Sequence, residues 1–398
     1  MQHEQMPAPS GLTPLLDLMD ALWYHLDIHD THALRLCCKA MRRDAMDAHA
    51  GYVEEQDESS VLSPATCARL CAVNTMSLRS LACLRGMLVT PPQAGTFPRL
   101  QSLRLNLGPA AIESPADYDT IASSAPWLTH LGLEFLASAT ALPQQLATVF
   151  AACGKLEDLA LRGPELFSGI VDVGALATGT QLLSLQLPNC FYLTTVAPLA
   201  ALVNLHTLSI AHCRSLINLA PLTTMVKLQS LDMSRCRAVS DLAPLAALVN
   251  LQSLDISFCS AISGLAVLAA LNLQSLDIGC CSGVSDISVL ATLMTLLSLD
   301  INNFDNVSDI APLGALISPQ SLQINCSYLS DDAPFRAVTD LAPLSTMVGL
   351  QSLDISSWGG VSDLAPLGAM QKLEYLNIID AAPCLIWHLS EPWQTCRA

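Results

Sequence analysis

Aspartate residues recur at nearly constant intervals in the second half of this 398-residue chain. Asp232, Asp255, Asp277 and Asp300 each follow a buried-type leucine and lie 22 or 23 residues apart, and Asp354 has the same local sequence. On neighbouring strands these carboxylates would form a row with a spacing of about 4.8 Å. Like charges opposite one another destabilise a sheet, so such a row favours solvent, counter-ions or a cationic partner. Duplication without selection at that position explains the repetition equally well.

Arginine and aromatic residues close to this row are types that anchor protein interfaces. Arg235 and Phe258 follow aspartates of the row by three residues, and Trp358 follows Asp354 by four. Serine and glutamine residues between them are small or polar and would leave the surface open. The sequence therefore predicts a surface that binds a Lys/Arg-rich segment of a protein. The predicted partner-binding residues are Asp232, Asp255, Asp277, Asp300, Asp354, Arg235 and Phe258.

Residue patterns that carry catalysis are absent from the sequence. There is no glycine-rich phosphate loop, no His-Glu-x-x-His pair and no Gly-x-Ser-x-Gly elbow. The histidines are scattered, and we expect His206 and His212 to be a surface pair. Cys67 and Cys71 lack a second pair at metal-ligand spacing, which favours a buried helix face over a metal site. The sequence predicts a protein that is not an enzyme and holds neither a metal nor a cofactor.

Composition and charge narrow the classes of partner. The formal net charge is −17, and the 18 lysines and arginines form no cluster apart from residues 39–43. Such a surface repels nucleic-acid phosphates and anionic membranes. No apolar run is long enough to span a membrane, the first residues lack the pattern of a signal peptide, and 15 cysteines is an odd number. We expect an intracellular protein, in the cytoplasm or alternatively the nucleus.

The aspartates belong to a repeat with a period of 23 residues in most units. Each unit contains the pattern Leu-x-x-Leu-x-(Leu/Ile/Met)-x-x-Cys or a close variant. A unit this short cannot bury its own apolar face, so the units must stack into a solenoid with one long exposed surface. The first leucines of the units are Leu182, Leu205, Leu228, Leu251, Leu273, Leu296, Leu350 and Leu373.

A single unit indicates which elements position the aspartates. Leu254 and Ile256 alternate with polar residues, which predicts a short half-buried strand that carries Asp255. After Cys259 the apolar residues are spaced by three, which predicts a turn-rich or 3₁₀ return segment. Ser-Asp pairs followed by proline, as at Asp241, predict caps at the start of these return segments.

The units resemble leucine-rich repeats, whose consensus is Leu-x-x-Leu-x-Leu-x-x-(Asn/Cys)-x-(Leu/Ile). The ninth-position cysteines are similar to those of the cysteine-containing subtype, whereas the Asp-Leu-Ala-Pro-Leu return segments resemble the short repeats of internalin-like proteins. The resemblance implies an α/β solenoid, a leucine-rich repeat horseshoe with a parallel concave β-sheet, that binds proteins. We expect weak hydrogen bonds to turn carbonyls from the thiols of Cys190, Cys213, Cys236, Cys259 and Cys281.

Upstream of Leu182 the period lengthens to 26 or 28 residues, and we expect about thirteen units over residues 78–380. Longer units need longer return segments, and the stretch 142–153 predicts a short amphipathic helix. Leu78 and Leu81 are interpreted as the leucines of an opening unit.

One downstream unit, between Pro319 and Leu350, contains eight additional residues within 327–337. Insertions in solenoids map to loops that carry binding specificity, although a tolerated insertion is an equally good explanation. The candidate binding residues of this insertion loop are Tyr328, Asp331, Asp332, Phe335 and Arg336.

The N-terminal segment has a different pattern. Apolar residues recur three and four apart between residues 15 and 46, which predicts two or three short helices preceding the solenoid. This segment resembles the F-box, a three-helix motif that docks on the adaptor subunit of cullin-type ubiquitin ligases, although Met41 stands where the family has tryptophan. The resemblance implies adaptor docking through Leu22, Leu26, Leu34, Cys38, Lys39 and Met41.

A helical cap over the end of the solenoid is the alternative role for this segment, and the two roles are compatible. We expect an F-box-like helical module at 1–55, a linker and cap helix at 56–77, the repeat array at 78–380 and a C-terminal cap or tail at 381–398. The sequence thus predicts a non-catalytic substrate receptor of a cullin-type ubiquitin ligase. The alternative is a stand-alone leucine-rich repeat scaffold with no ubiquitin link.

Overall fold

The structure is a computed structural model in which contacts divide the chain into two units, Met1–Tyr52 and Val53–Ala398. The repeats lie in the second unit, and it is described by itself. The residues that the structure describes are 52–54, 75–78, 100–107, 115–124, 126–135, 144–162, 172–303, 306–307, 309–325, 340–358, 361 and 363–378.

In the part of the chain that the structure describes, a 14-stranded sheet runs through the repeats, and the order of its strands follows the chain from β1 to β14. The paired strands from β2 to β14 are parallel. Each unit therefore contributes one strand, as the repeat predicts. The strands are β1 (Tyr52–Glu54), β2 (Thr75–Leu78), β3 (Ser102–Leu107), β4 (His130–Phe135), β5 (Asp158–Arg162), β6 (Ser184–Gln186), β7 (Thr207–Ser209), β8 (Ser230–Asp232), β9 (Ser253–Asp255), β10 (Ser275–Asp277), β11 (Ser298–Asp300), β12 (Ser321–Gln323), β13 (Ser352–Asp354) and β14 (Tyr375–Asn377).

Helical segments return the chain from one strand to the next. The longer upstream units use α-helices, α1 (Pro115–Ser124) and α2 (Leu146–Ala152), and α2 confirms the helix predicted within 142–153. The buried residues of α2 include Val149 and Phe150. The shorter downstream units use 3₁₀ helices, as predicted: Gly174–Thr178, Ala197–Ala201, Ala220–Thr224, Ala243–Ala247, Ala266–Ala270, Ser288–Thr292, Ala311–Ala315, Ala342–Thr346 and Ala365–Ala369.

Aspartate side chains cap the 3₁₀ helices, as the Ser-Asp-x-x-Pro pattern predicts. Asp241 Oδ1 accepts a 2.8 Å hydrogen bond from the backbone N–H of Ala243, the first residue of its helix. Asp309 and Asp363 accept equivalent bonds in their units. In the return segments that have a proline at their second position, φ of that residue is fixed near its helical value, so the sequence starts the segment at a defined residue.

The ninth-position cysteines form a buried ladder inside the solenoid. The thiol Sγ of Cys236 lies 3.2 Å from the carbonyl oxygen of Ile210, and Sγ of Cys281 lies 3.1 Å from that of Ile256. These contacts confirm the predicted weak hydrogen bonds between units. Burial raises the pKa of the Cys281 thiol to about 12, so it stays protonated at neutral pH. A leucine stack that is almost wholly excluded from solvent surrounds the ladder.

The start of the array differs from the prediction. The register pairs Met76 with Leu103 and Leu78 with Leu105, so Leu78 is the sixth residue of its unit, not the first. Met76 stands where the consensus has leucine, whereas Leu78 and Leu81 have the spacing of consensus leucines. The sequence pattern therefore placed the strand too far along the chain. Residues 52–54, which were expected at the end of the F-box-like module, form β1.

Candidate functional site

The predicted aspartates lie in one row across the sheet. The first four are direct register partners, from Asp232 on β8 to Asp300 on β11, and Gln323 separates them from Asp354. All five carboxylates are half-buried, because each is the last residue of its strand and faces outward beside the buried leucine. We call this row, Asp232, Asp255, Asp277, Asp300 and Asp354, the aspartate row.

Every carboxylate of the aspartate row also has a structural role that the sequence reasoning missed. Its Oδ1 accepts a hydrogen bond from the backbone N–H two residues later, and this bond turns the chain out of the strand. A short polar residue or glycine stands two positions after each aspartate, and this is the signal that could have predicted these turns. The donors are the N–H groups of Ser234, Ser257, Gly279, Asn302 and Ser356, at 2.9 to 3.0 Å.

The second carboxylate oxygen, Oδ2, has a different environment from one aspartate to the next. Oδ2 of Asp300 accepts a 2.9 Å bond from the side-chain amide of Asn302. Oδ2 of Asp232 accepts a 2.8 Å bond from the Ser209 hydroxyl, and Oδ2 of Asp354 accepts a 3.1 Å bond from the Asn377 amide. For Asp277, the described part of the chain provides no donor to Oδ2. Burial, followed by the neighbouring Asp300 charge, raises the pKa of Asp277 to about 7.

Burial likewise raises the pKa of Asp255 and of Asp300, on either side of Asp277. The fold therefore disfavours the charged forms of Asp255, Asp277 and Asp300. A cation placed against them would favour the charged forms. Among the described residues no group of three or more His, Cys, Asp or Glu has the geometry of a metal site.

The turn after the strand holds a second row, in left-handed backbone. The eighth residue of seven units has φ between 56 and 66° although none of them is glycine. Hydrogen bonds to the next unit hold this conformation, for example from Arg235 N to Ser257 O at 2.7 Å. Left-handed backbone is unfavourable for these residue types except asparagine, so at the other positions the stacked neighbours must impose it. The residues are Asn189, His212, Arg235, Phe258, Cys280, Asn303 and Ser357.

Aromatic and cationic side chains contact one another along this turn row. The Arg235 guanidinium lies 4.1 Å from the centroid of the Phe258 ring. The structure thus brings these two predicted residues together, beside the aspartate row and not on the strands. A similar pair, which the sequence reasoning missed, joins Arg214 to Phe191 at 4.4 Å, and His212 stacks on the same ring.

Two predicted surface features are different in the structure. Trp358 is fully buried, so its interpretation as a surface anchor is wrong. It is the ninth residue of its unit, where other units have cysteine, and its large ring fills the core. His206 and His212 are each half-buried and do not form an open surface pair.

Upstream, the same register row carries the opposite charge. The row runs from Arg104 on β3 through Gly132, Ala160, Gln186 and Ser209 to the aspartate row. A cavity of about 30 Å³ lies on this part of the sheet. Its lining is Arg104, Gly132, Leu133, Ala160 and Arg162.

The remaining predicted site residues lie outside the described residues. They are the F-box-like set Leu22, Leu26, Leu34, Cys38, Lys39 and Met41, and the insertion-loop set Tyr328, Asp331, Asp332, Phe335 and Arg336. Within the described part of the chain, every helix is too short or too polar to cross a membrane.

Parallel strands, 3₁₀ return segments and stacked leucines define a leucine-rich repeat solenoid, and comparison with solved structures shows the same fold. An internalin from Listeria monocytogenes is 18% identical with a TM-score of 0.50, over 80% of this chain and 91% of its own. A leucine-rich repeat protein from Leptospira interrogans is 18% identical with a TM-score of 0.47, over 80% of this chain and 81% of its own.

A second Listeria monocytogenes structure, of internalin C2, is 20% identical with a TM-score of 0.36 and covers 67% of this chain and 84% of its own. No protein-family description and no curated protein matches the sequence. At 18% identity, the likeness to the internalin with a TM-score of 0.50 shows the fold alone.

Proposed function

We propose that this chain is a non-catalytic recognition protein that binds another protein on the outward face of its sheet. The aspartate row carries the proposal, because it places neighbouring carboxylates in direct register where burial raises the pKa of the central ones. A cationic partner would stabilise the charged forms of these carboxylates, which the free protein disfavours. The stand-alone scaffold described from the sequence matches this role.

The partner that fits the aspartate row is a polypeptide segment rich in lysine or arginine. Flexible cationic side chains can reach carboxylates spaced by about 4.8 Å, as on neighbouring strands. Arg235 and Phe258 lie beside the row and would flank such a segment. Binding would lower the pKa of Asp277, so the affinity is expected to rise as the pH rises through about 7.

Affinity purification from cell extract, followed by equilibrium binding of the recovered protein, tests this proposal. Replacement of Asp232, Asp255, Asp277 and Asp300 by asparagine keeps an acceptor for each turn N–H but removes four charges. We expect weaker binding and a smaller dependence on salt. The matched control neutralises four helix caps, Asp241, Asp286, Asp309 and Asp340, which accept bonds at the return segments. Equal affinity and equal salt dependence in both variants would reject the aspartate row as the binding site.

A role as the substrate receptor of a cullin-type ubiquitin ligase is the second candidate, and the F-box-like sequence motivates it. It places the protein inside the cell. The test is recovery of the adaptor and cullin subunits with the full chain, compared with a variant that carries Leu26→Asp and Leu34→Asp. Failure to recover either subunit with the unaltered chain would remove the ligase assignment but leave the proposed protein recognition standing.

A further inference from the structure

Two arginines line one cavity on the upstream part of the sheet. A Cβ atom added to Gly132 would lie 3.5 Å from Cγ and 3.6 Å from Nε of Arg104, which is ordinary contact distance, so the arginine packs beside the bare glycine. Ala160, the next residue of the row, is also short, and Arg162 lines the same cavity two residues further along β5. We call Arg104, Gly132, Ala160 and Arg162 the arginine pocket.

Arg104 and Arg162 have no ion pair or hydrogen bond with the side chains that the structure describes, although the whole chain contains 35 acidic residues. The side chain of Glu134, whose backbone the register pairs with Arg162, lies outside those described. Other cations do have neighbours: Arg214 and Arg235 cover phenylalanine rings, and Lys227 donates to Asn204. Two guanidinium groups that line one small cavity repel each other unless an anion lies between them.

We propose that the arginine pocket binds an oxyanion, the carboxylate or phosphate group of a ligand. The planar guanidinium fork donates paired N–H groups that match the oxygens of either anion. Gly132 and Ala160 supply the floor, since any larger side chain would fill the space over which the arginines lie. The cavity is small, about 30 Å³, so it would take oxygen atoms of such a group and leave the rest of the ligand in solvent.

This inference extends the proposed function, because the pocket lies on the row that leads to the aspartates. Five strand steps separate Ala160 on β5 from Asp277 on β10, roughly 24 Å at strand spacing. An extended segment of about seven residues spans that distance. The same partner would then place an acidic group at the arginine pocket and basic groups at the aspartate row, which sets its direction along the sheet.

Titration of the full-length ¹⁵N-labelled chain with inorganic phosphate, and separately with acetate, tests the pocket directly. Ionic strength is held constant with sodium chloride, and the arginine Nε–Hε signals are followed by NMR. We expect saturable shifts for Arg104 and Arg162 but not for Arg214 and Arg235, which serve as internal controls. Tighter binding of acetate identifies a carboxylate as the recognised group, and tighter binding of phosphate identifies a phosphate.

Arginine substitutions distinguish a specific anion site at the arginine pocket from nonspecific attraction of anions to arginines elsewhere on the surface. Arg104→Gln and Arg162→Gln should each raise the dissociation constant at least about tenfold, or about 1.4 kcal/mol, whereas Arg214→Gln should leave it unchanged. The register pairs Glu134 with Arg162, so Glu134→Gln should bind at least as tightly. Unsaturable shifts at all arginines, or unchanged affinity in the first two variants, would overturn the proposal. The titration needs no protein partner, so its failure and the failure of the proposed recognition are distinguishable.

Discussion

Neutralising the centre of the aspartate row should stabilise the fold at alkaline pH. Asp277 has a pKa raised from 3.8 to about 7 by burial and by Asp300. Below pH 3.8 both the folded and the unfolded chain hold the proton. Between that pH and about 7 the folded chain keeps a proton that the unfolded chain has lost, so stability falls as the pH rises.

The size of this effect follows from the raised pKa. At about 1.4 kcal/mol for each pH unit, a full penalty would approach about 4 kcal/mol. Solvent screens a half-buried carboxylate, so we expect a penalty of about 1–2 kcal/mol. Asp277→Asn should remove it, because the amide oxygen can still accept the N–H of Gly279. The new amide can donate to a neighbouring carboxylate, as Asn377 already does to Asp354 at 3.1 Å.

Urea unfolding at pH 4.5 and pH 8, followed by circular dichroism under reducing conditions, measures this prediction. Asp277→Asn should gain about 1–2 kcal/mol over the native chain at pH 8 and much less at pH 4.5. Asp277→Ala is the control, because it removes both the charge and the bond to Gly279, and it should be about 1 kcal/mol less stable than the asparagine variant. If Asp277→Asn loses stability equally at both pH values, burial of this carboxylate is not what opposes its ionisation.

Three further predictions concern the stacked units. Gly283→Ala should lower the free energy of unfolding by about 2 kcal/mol or more, because the added Cβ would meet the backbone carbonyls of Ile262 and Ser260. Gly264→Ala is the control, because its Cβ would enter open space, and it should change stability by less than about 0.5 kcal/mol. Equal losses of stability in chemical unfolding would contradict this packing. Trp358→Ala should cost about 3–5 kcal/mol by the same assay, since the ring is fully buried, and a cost under about 1 kcal/mol would place it at the surface. Among the described cysteines, Cys280 is half-buried and the others are buried. Of these, Cys280 should therefore react first with N-ethylmaleimide in native protein, as measured by peptide mass spectrometry. Earlier labelling of Cys259 would refute the buried ladder.

Much of the downstream fold was predictable because one short pattern repeats there. Where the period is constant, each strand starts at the same place in its unit, so the pairing of Asp277 with Asp300 follows from spacing alone. The thiol contacts of Cys236 and Cys281 follow in the same way, because the ninth residue always turns inward.

Features that depend on contacts between units could not be predicted. Phe258 has left-handed backbone although it is not glycine, the usual sequence signal of that conformation. Hydrogen bonds with the neighbouring unit impose the conformation. Trp358 is buried because it occupies the ninth position, where other units have cysteine. Tryptophan does not match the cysteine of the repeat pattern, so the pattern did not assign it to the core. The arginine pocket combines Arg104 and Arg162 from units of irregular length, so only strand pairing brings them to one cavity.

The central claim is that a protein partner binds the sheet face and not the return segments. Its most direct test compares two charge insertions by equilibrium binding of the recovered partner. Ser275→Arg adds bulk and positive charge to the sheet face beside Asp277, and Ala246→Arg adds the same group to an exposed 3₁₀ position. We predict at least about tenfold weaker binding for Ser275→Arg and unchanged binding for Ala246→Arg. Loss of binding in Ala246→Arg alone would contradict the claim.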